Sequence, residues 1–540
     1  MELTRDFQTT QTLEQVVAGW KHGQVVALFG VAGSGKSAVV AALTRPEVAP
    51  DTIPPGFMHA VAFAATSPTL VAIAEMLAQQ LERLPGFAEA SERYTARFDE
   101  TALGRQDAMT RLLVGPLGAL TVTGPKRVRI AVDALDQMDA AARAVLSEAV
   151  KAMIEDSNLT GVRVLLTGRP GSLPDFGREQ LRIDMSQAPA EEVIAYLVRR
   201  GPDQGLVRAI AAQTHTWLDA KVLADLATSV GPVDAPPEGV SLADLYERAI
   251  TAAQIRVQDD KLLAAALAIL AAAGTGPILP LGILDDALGV LEHPATAAQA
   301  RDLLVGLDGL VVRAKPGTSE ETIGLAHETL RDHLVCAAED GRRSPRRGHE
   351  AILSVLERDM NGTAAAYSGY VKLAFAQHLW AVGRQIDAVK RVGRSLGHRP
   401  ADNVTVLRAW LERAFAELGE DDLATLIIRN DLASWIGEAG DAAGARDAFA
   451  ALLPDMARVL GADDPDTLAA RNNQASWIGE AGNAAGARDA FAALLPDLER
   501  VLPPDHPDTF AARNKPGLLD RAGREPCWGA GGVRSPADRL

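Results

Sequence analysis

The sequence predicts an α/β domain with a parallel sheet and helices on both faces, followed by all-α helical and winged-helix-like domains and an α-solenoid. Three observations lead to this fold class. Apolar strands alternate with amphipathic helices between residues 23 and 190, as in parallel sheets with helical crossovers. From residue 191 the pattern is almost entirely helical. From residue 419 the sequence repeats with a period of 42, which is typical of stacked helix pairs.

Composition narrows the class of protein. The chain of 540 residues carries a formal charge of −16, which argues against general affinity for nucleic acid. Its two cysteines, Cys336 and Cys527, lie far apart and exclude a disulfide framework, so we expect a reducing, cytoplasmic location. The polar start, residues 1–6, lacks the apolar core of a signal peptide.

The first domain is organised around one stretch, which follows a short lead helix within residues 1–22. Residues 25–29 predict a buried strand and residues 38–43 a helix, with G-x-x-x-x-G-K-S between them. This is a phosphate-binding loop (P-loop), in which glycines let successive N–H groups point at a phosphate. Lys36 would reach the outer phosphates, and the Ser37 hydroxyl would ligate Mg²⁺. We expect the whole loop to bind nucleotide: Gly30, Val31, Ala32, Gly33, Ser34, Gly35, Lys36 and Ser37.

An acidic motif follows the strand predicted over residues 127–132. Asp133, at the tip of this strand, is placed to hold Mg²⁺ beside the P-loop, which is the Walker B role. Asp136, one loop step on, is placed to polarise a water molecule for attack on a γ-phosphate. Each has a structural alternative, because aspartates also favour strand-end turns and helix starts. With the P-loop upstream, we expect metal binding by Asp133 and a catalytic role for Asp136.

A basic residue, Arg169, follows the strand predicted over residues 162–167. Ligands of parallel sheets bind outside the carboxyl ends of the strands, so we expect Arg169 to sense the γ-phosphate. The alternative is a solvated loop arginine. Further strands are predicted over residues 58–63 and 181–185, and they complete an NTPase domain over residues 23–190.

Helical domains follow this sheet. We place a helical lid over residues 191–236, a winged-helix-like domain ending in a β-hairpin over residues 237–340, and a linker and helical region over residues 341–418. A winged helix can read DNA, but the acidic surroundings and the lack of a basic recognition helix argue against nucleic-acid binding. The uncharged residues 262–284 are long enough for a membrane span, yet glycines and prolines interrupt them. We therefore predict a buried helix, a turn and a second helix there, and no contact with a membrane.

Five short motifs follow one another along the first 340 residues: the P-loop, Asp133-Ala134-Leu135-Asp136, Thr167-Gly168-Arg169-Pro170, Thr216-Trp217-Leu218 and Ala326-His327-Glu328. In this combination, residues 7–340 resemble a STAND-class signalling ATPase of the NACHT or NB-ARC type. The resemblance implies ATP or ADP with Mg²⁺, and a nucleotide-dependent homo-oligomer. It also implies that His327 contacts the bound diphosphate, although a histidine capping a core helix fits this short motif equally well. Gln137 stands where many P-loop ATPases carry an acid, so we expect slow hydrolysis.

The repeats occupy residues 419–515. Trp435 and Trp477 both begin the sequence Trp-Ile-Gly-Glu-Ala-Gly, and each unit is predicted to be a helix, a glycine turn, a second helix and a proline-containing break. The units resemble the long tetratricopeptide repeats of the kinesin-light-chain type. Stacked repeats form concave binding surfaces, so we expect a protein partner; the alternative is a helical bundle that binds none. The third copy departs from the pattern after Asn514, and we predict a disordered tail over residues 516–540.

The sequence thus predicts an ATP-binding signalling switch that hydrolyses ATP slowly and senses a partner through its repeats. Lys36, Asp136 and Arg169 are the candidate catalytic residues. Two alternative functions belong to other classes of protein. One is a repeat scaffold whose nucleotide site only stabilises the fold, and the other is a DNA-binding transcriptional regulator.

Overall fold

A computed structural model gives the fold of most of the chain. It describes residues 10–20, 23–64, 69–120, 127–200, 207, 211, 216–221, 224, 242–294, 297–307, 309–336, 343–359, 368–503 and 506–521. The chain divides into two compact units, and each is described by itself. The first consists of Met1–Ser91, Leu112–Asp139 and Leu146–Arg384, and the second of Glu92–Arg111, Ala140–Val145 and Gln385–Leu540.

The first unit is built on a five-stranded sheet whose paired strands are all parallel, as predicted. Its order is β2-β3-β4-β1-β5. The strands are β1 (Val25–Phe29), β2 (Ala60–Phe63), β3 (Val128–Asp133), β4 (Val162–Gly168) and β5 (Gln180–Asp184). Because β4 pairs with both β1 and β3, the carboxyl ends of these three strands lie along one edge of the sheet. That edge carries the P-loop, Asp133 and Arg169.

A tightly packed core holds the P-loop strand in place. The side chains of Leu13 and Val16 on the lead helix are fully buried, and they join Leu28 of β1 and Leu43 of the helix after the P-loop. Fully burying a Leu or Val side chain contributes about 1.5–3 kcal/mol each. The helices between residues 10 and 200 are α1 (Gln11–Gly19), α2 (Lys36–Leu43), α3 (Leu70–Leu81), α4 (Phe87–Thr95), α5 (Glu100–Gly104), α6 (Gly115–Gly118), α7 (Ala140–Glu155) and α8 (Ala190–Arg200). Of these, α5, the end of α4 and the start of α7 belong to the second unit.

The rest of the first unit is mainly helical and contains a second, antiparallel sheet of order β6-β8-β7. Its elements are α9 (Leu242–Val257), α10 (Asp260–Ala273), β6 (Leu279–Pro280), α11 (Leu281–Val290), α12 (Ala297–Gly306), β7 (Val311–Ala314), β8 (Thr322–Leu325), α13 (Glu328–Cys336), α14 (Pro345–Asp359) and α15 (Ser368–Ala381). Helices followed by a β-hairpin match the predicted winged-helix pattern. Much of the predicted lid, residues 191–236, lies outside the described residues.

The uncharged stretch of residues 262–284 forms the predicted helix, turn and helix. Residues 262–272 of α10 are all buried inside the unit. Gly274 ends this helix with a backbone φ of 112°. Among the helices that the structure describes, none has both the length and the apolar character needed to cross a bilayer.

The second unit contains the repeats. Its longer helices are α16 (Gln385–Ser395), α17 (Pro400–Glu417), α18 (Leu423–Glu438), α19 (Ala442–Val459), α20 (Pro465–Glu480), α21 (Ala484–Val501) and α22 (Pro507–Arg521). Helices α18 and α19 form the first repeat, α20 and α21 form the second, and α22 begins the third. Two buried clusters repeat with the period of the sequence: Leu426, Ala445, Phe449 and Leu452 in the first repeat, and Leu468, Ala487, Phe491 and Leu494 in the second.

The recurring Trp-Ile-Gly sequence has a packing explanation. The Trp477 ring of the second repeat lies directly on Gly437 of the first, where an added Cβ would come within 2.4 Å of the ring. A contact that close requires something to shift, so this position favours glycine. Successive repeats therefore pack together through a tryptophan in one repeat and a glycine in the previous repeat.

The predicted boundary of the tail is wrong by several residues. Helix α22 continues to Arg521 and passes Pro516, where the disordered tail was predicted to begin. A proline within a helix removes a hydrogen bond and can kink the helix without ending it, and α19 and α21 also contain a proline. The remaining predicted tail, residues 522–540, lies outside the described residues.

The second unit also holds two segments that precede the repeats by hundreds of residues. Arg111 is almost fully buried, and its guanidinium pairs with the Asp402 carboxylate of α17 at 2.9 Å. The backbone N–H of Ala140, the first residue of α7, donates to a Glu412 carboxylate oxygen at 3.3 Å. Nothing in the local sequence of either segment predicts these partners.

Candidate nucleotide-binding site

The P-loop connects β1 to α2 and depends on glycine at three places. Gly33 and Gly35 have backbone φ values of 80° and 90°, in the left-handed region that favours glycine. At Gly30 an added Cβ would lie 2.8 Å from the Ser34 hydroxyl. The turn is thus lined by backbone, as a loop that receives a phosphate must be.

Lys36, the first residue of α2, points back into this turn. Its ammonium donates to the carbonyl oxygens of Gly30 at 2.9 Å and Val31 at 2.8 Å. Burial lowers the pKa of Lys36, whereas the nearby Asp136 and Asp133 carboxylates act in the opposite direction. The side chain therefore lies within electrostatic reach of both predicted acids, although they are distant in sequence.

Asp133, at the end of β3, is the most buried charged group of the site, with 2% of its surface exposed. The Thr167 hydroxyl of β4 donates to its carboxylate. Burial raises the pKa of Asp133, and hydrogen bonds from Thr167 and Ser37 oppose that rise. Ser37 and Asp133, the two predicted Mg²⁺ ligands, are thus neighbours.

The residue after this aspartate adopts an unusual backbone conformation. Ala134 has a φ of 60° and ψ of 52°, and its N–H donates to the Thr167 hydroxyl at 2.9 Å. A non-glycine residue in this region carries a cost of about 1–2 kcal/mol, which a small side chain limits. Thr167 therefore fixes both the Asp133 carboxylate and the turn that leads to Asp136. Thr167 belongs to the sequence motif Thr167-Gly168-Arg169-Pro170, but the motif does not by itself indicate this role.

Arg169 lies at the tip of β4 between two carboxylates. Its backbone N–H donates to Asp136 at 3.1 Å, and its guanidinium pairs with the same carboxylate at 3.0 Å. A second guanidinium nitrogen pairs with Glu328, the first residue of α13. The Gln137 side-chain amide donates to the same Glu328 oxygen at 2.7 Å. We call Asp136, Gln137, Arg169 and Glu328 the arginine network.

The Thr216-Trp217-Leu218 motif covers the P-loop. The Leu218 N–H donates to the Gly33 carbonyl at 2.9 Å. An added Cβ on Gly33 would lie 2.7 Å from Leu218, and one on Gly35 would lie 3.0 Å from the Trp217 ring. The glycines of the loop therefore also make room for this segment. Trp217 is held in turn by an edge-to-face contact with Tyr196 of α8, with ring centroids 5.8 Å apart.

His327 immediately precedes α13. Its Nδ1 accepts from the Thr329 backbone N–H at 3.2 Å, so the ring proton of the neutral form is on Nε2. Burial lowers the pKa of His327 to about 4, with further lowering by the positive charges of Lys36 and Arg169. His327 directly precedes Glu328, which pairs with Arg169, so it lies close to the strand tip that carries Arg169.

The structure therefore brings the predicted residues together within the first unit. Lys36, Ser37 and Asp133 form one cluster, and Asp136 and Arg169 form an ion pair. The main residue that the sequence analysis missed is Glu328, which it named only as a departure from a motif. Its contact with Arg169 spans 159 positions of the sequence. No local pattern could have predicted such a pair.

A family model matches the first part of the chain. Residues 4–169 match the family model described as Nephrocystin 3, N-terminal. This range includes the P-loop, Asp133 and Arg169 and covers less than half of the chain. The comparison with curated proteins finds no match.

Similar solved structures are distant in sequence. One is a Signal Transduction ATPase with Numerous Domains (STAND) protein with a tetratricopeptide repeat sensor from Pyrococcus horikoshii, at 11% identity and a TM-score of 0.43 over 96% of this chain and 78% of that one. Another is Cdc6p from Pyrobaculum aerophilum, at 16% identity and a TM-score of 0.30 over 64% of this chain and 94% of that one. A third is a putative kinesin light chain with nearly identical TPR-like repeats from Podosopora anserina, at 14% identity and a TM-score of 0.20 over 36% of this chain and 84% of that one.

Proposed function

We propose that the protein is a nucleotide-dependent signalling switch that binds ATP or ADP with Mg²⁺ and hydrolyses ATP slowly. One observation carries the proposal: two segments of the helical part of the first unit contact the P-loop or the strand tip beside it. They are the Trp217-Leu218 segment, which lies on Gly33 and Gly35, and Glu328, which pairs with Arg169. An enzyme that only turned over nucleotide would not need its neighbouring helices tied to these groups.

The chain offers a fitting set of groups for a nucleotide. The glycine turn provides a cradle that a Cβ would fill at Gly30, and Lys36 supplies a cation to the outer phosphates. Ser37 and Asp133 would hold Mg²⁺, which supplies charge neutralisation between the β- and γ-phosphates. The Nε2 proton of neutral His327 would serve as a donor to the diphosphate, as the family resemblance implies.

The arginine network suggests how the switch distinguishes ATP from ADP. Arg169 is shared between Asp136 and Glu328, and only the latter belongs to the winged-helix-like part. In our proposal Arg169 exchanges Glu328 for γ-phosphate oxygens when ATP binds, and keeps Glu328 when ADP binds. A ligand shifts a conformational equilibrium only by its differential affinity for the two states, and this exchange would supply that difference.

The repeats would report to or respond to a protein partner, because stacked helix pairs expose extended surfaces. We also propose that the protein is cytoplasmic and that it forms a nucleotide-dependent homo-oligomer. Both come from the sequence: the first from its cysteine content and the second from the family resemblance.

A repeat scaffold with a structural nucleotide site is the rival function, and Gln137 favours it. This residue stands where an acid often activates water, and its amide is engaged with Glu328. Phosphate release by the purified full chain separates the two. We expect slow release that the Lys36→Ala variant abolishes, with ATP binding measured in parallel. ATP binding by the natural chain with release no faster than in the Lys36→Ala variant would support the scaffold instead.

A further inference from the structure

The helix α22 begins a third repeat, and its two sides are in very different environments. Thr509 and Ala512 are buried against the second repeat, with 0% and 1% of their surfaces exposed. Phe510, between them in sequence, is 67% exposed. The helix is therefore docked on one side and presents a large aromatic ring on another, among the residues that the structure describes.

The repeat period shows what normally covers this position. Phe510 aligns with Leu468 and Leu426, which are both 0% exposed. Leu468 lies in one buried cluster with Ala487 and Phe491 of the second helix of its own repeat. The same contact recurs in the first repeat, where Leu426 meets the second helix α19. The exposed ring of Phe510 thus lies where two established interfaces of this protein predict a helix.

A neighbouring polar position shows the same change. Asn514 aligns with Asn472 and Asn430, of which 6% and 2% are exposed, whereas Asn514 itself is exposed. A single exposed phenylalanine would need no explanation, because isolated apolar residues are common on surfaces. Two aligned positions that change together define one face, which we call the α22 face (Phe510 and Asn514).

Residues 526–540, where the period places the second helix of the third repeat, do not carry the pattern of that helix. The period aligns residues 526–540 with α21, and it places Val533 at the position of Phe491 and Pro536 at the position of Leu494. A proline inside a helix costs about 3 kcal/mol, and three glycines nearby weaken the helix further. The pattern that covers the first two repeats is thus lost from this stretch of sequence.

We infer that the α22 face binds an amphipathic helix of a partner protein that completes the third repeat. The two existing interfaces define its chemistry. Both covering helices carry the pattern Ala-x₃-Phe-x₂-Leu-x₂-Asp-(Leu/Met): Ala445, Phe449, Leu452, Asp455 and Met456 in the first, and Ala487, Phe491, Leu494, Asp497 and Leu498 in the second.

The aspartate in this pattern is part of the recognition. Asp455 pairs with Arg429, and Asp497 pairs with Arg471, each at 2.8 Å. Arg513 continues this series by the period, is exposed, and pairs with Glu499 of α21 at 2.7 Å. The partner helix would therefore insert a phenylalanine and a leucine beside Phe510 and present an acid that replaces Glu499 as the partner of Arg513. This inference rests on the proposed role of the repeats in partner binding and names the class of partner.

A peptide from the chain itself is the sharpest probe, because it carries the required pattern. A fluorescently labelled peptide of residues 483–501 is titrated with the full chain, beside a control peptide carrying Phe491→Ala and Leu494→Ala. We expect saturable binding of the first peptide only. The Phe510→Asp variant should weaken it on the order of tenfold, because a central aromatic anchor dominates such interfaces. The matched control is Phe415→Asp, which changes an exposed phenylalanine of α17 in the same unit.

A second variant covers the case in which the free peptide is too unstructured to bind. The sequence of residues 483–501 is placed from position 525 onward, where the period puts the missing helix. We expect the melting temperature to rise by several degrees relative to the same graft carrying Phe491→Ala and Leu494→Ala. Failure of both the peptide and the graft would overturn the inference.

Three further outcomes would also overturn it. Equal binding to Phe510→Asp would place the peptide elsewhere. Self-association of the free chain that depends on Phe510 would make a second copy the occupant. Tighter peptide binding after removal of residues 522–540 would make those residues the occupant. Peptide binding should be unchanged in Lys36→Ala, so failure here is distinguishable from failure of the proposed nucleotide switch.

Discussion

Replacing Glu328 by glutamine tests whether the arginine network opposes ATP binding. Glutamine keeps the length of the side chain and an oxygen for the Gln137 amide, so the main loss is the charge that faces Arg169. A hydrogen bond to a charged group contributes about 1.5–3 kcal/mol when well buried. The Arg169 and Glu328 side chains are 42% and 28% exposed, which reduces the expected contribution to about 1 kcal/mol.

This free energy corresponds to about a fivefold change in an equilibrium constant. If Arg169 must leave Glu328 to reach the γ-phosphate, the Glu328→Gln variant should bind a non-hydrolysable ATP analogue about fivefold more tightly, because the competing charge is gone. Its affinity for ADP should change little. Calorimetric titration of both nucleotides into the natural chain and the variant gives the ratio directly.

The matched control is Glu320→Gln, which removes an exposed carboxylate paired with Lys315 in the β-hairpin of the same unit. It should leave both affinities unchanged. Equal changes in the affinities for ADP and the ATP analogue in Glu328→Gln would refute the reasoning, because the residue would then act on the fold and not on the γ-phosphate. No change in either affinity would refute it as well.

Two further predictions concern stability and are both measured by urea unfolding. Asp402→Ala leaves the buried Arg111 guanidinium without its carboxylate partner and should destabilise the second unit by about 3–5 kcal/mol. Arg111→Met combined with Asp402→Leu should destabilise it much less, and equal losses of stability would contradict a charge effect. His327 has a folded-state pKa of about 4, below the ordinary 6.5, so the unfolded chain takes up this proton first and stability should fall as the pH drops from about 6.5 towards 4. His327→Gln should flatten that part of the profile, and an unchanged slope would show that other groups cause it.

The first domain was largely predictable because its signals are local. A pattern of a few residues is enough to predict the strand of residues 25–29, the P-loop and the strand that ends at Asp133. The parallel topology follows from the alternation of these strands with helices. It could also be expected that the P-loop, Asp133 and Arg169 lie at one edge of the sheet, since all strands of a parallel sheet have their carboxyl ends on the same side.

The connections between distant segments were not predictable. Glu328 pairs with Arg169, and Arg111 pairs with Asp402 across 291 positions, and both pairs depend on how whole helices dock. Such contacts are fixed by packing of many side chains, and no periodicity within one segment specifies the partner. The Trp477 and Gly437 contact is intermediate, because the repeat marks both residues as special but not that they meet.

At the end of the described repeats, a local sequence signal was present but led to a wrong prediction. Local composition predicted that the helical pattern would stop at Pro516, yet α22 continues to Arg521. Its first turns are packed against the second repeat through Thr509 and Ala512. Tertiary packing commonly overrides local propensity, and here it supports a helix past an unfavourable residue.

Amide hydrogen exchange of Glu328–Cys336 is the most direct test of the central claim, that nucleotide identity controls the attachment of the winged-helix-like part to the P-loop site. The full chain is measured with saturating ADP and with a saturating non-hydrolysable ATP analogue, both with Mg²⁺. We expect faster exchange across this helix with the ATP analogue, since Arg169 would then leave Glu328. Identical exchange with both nucleotides, each shown to be bound, would contradict the proposed switch.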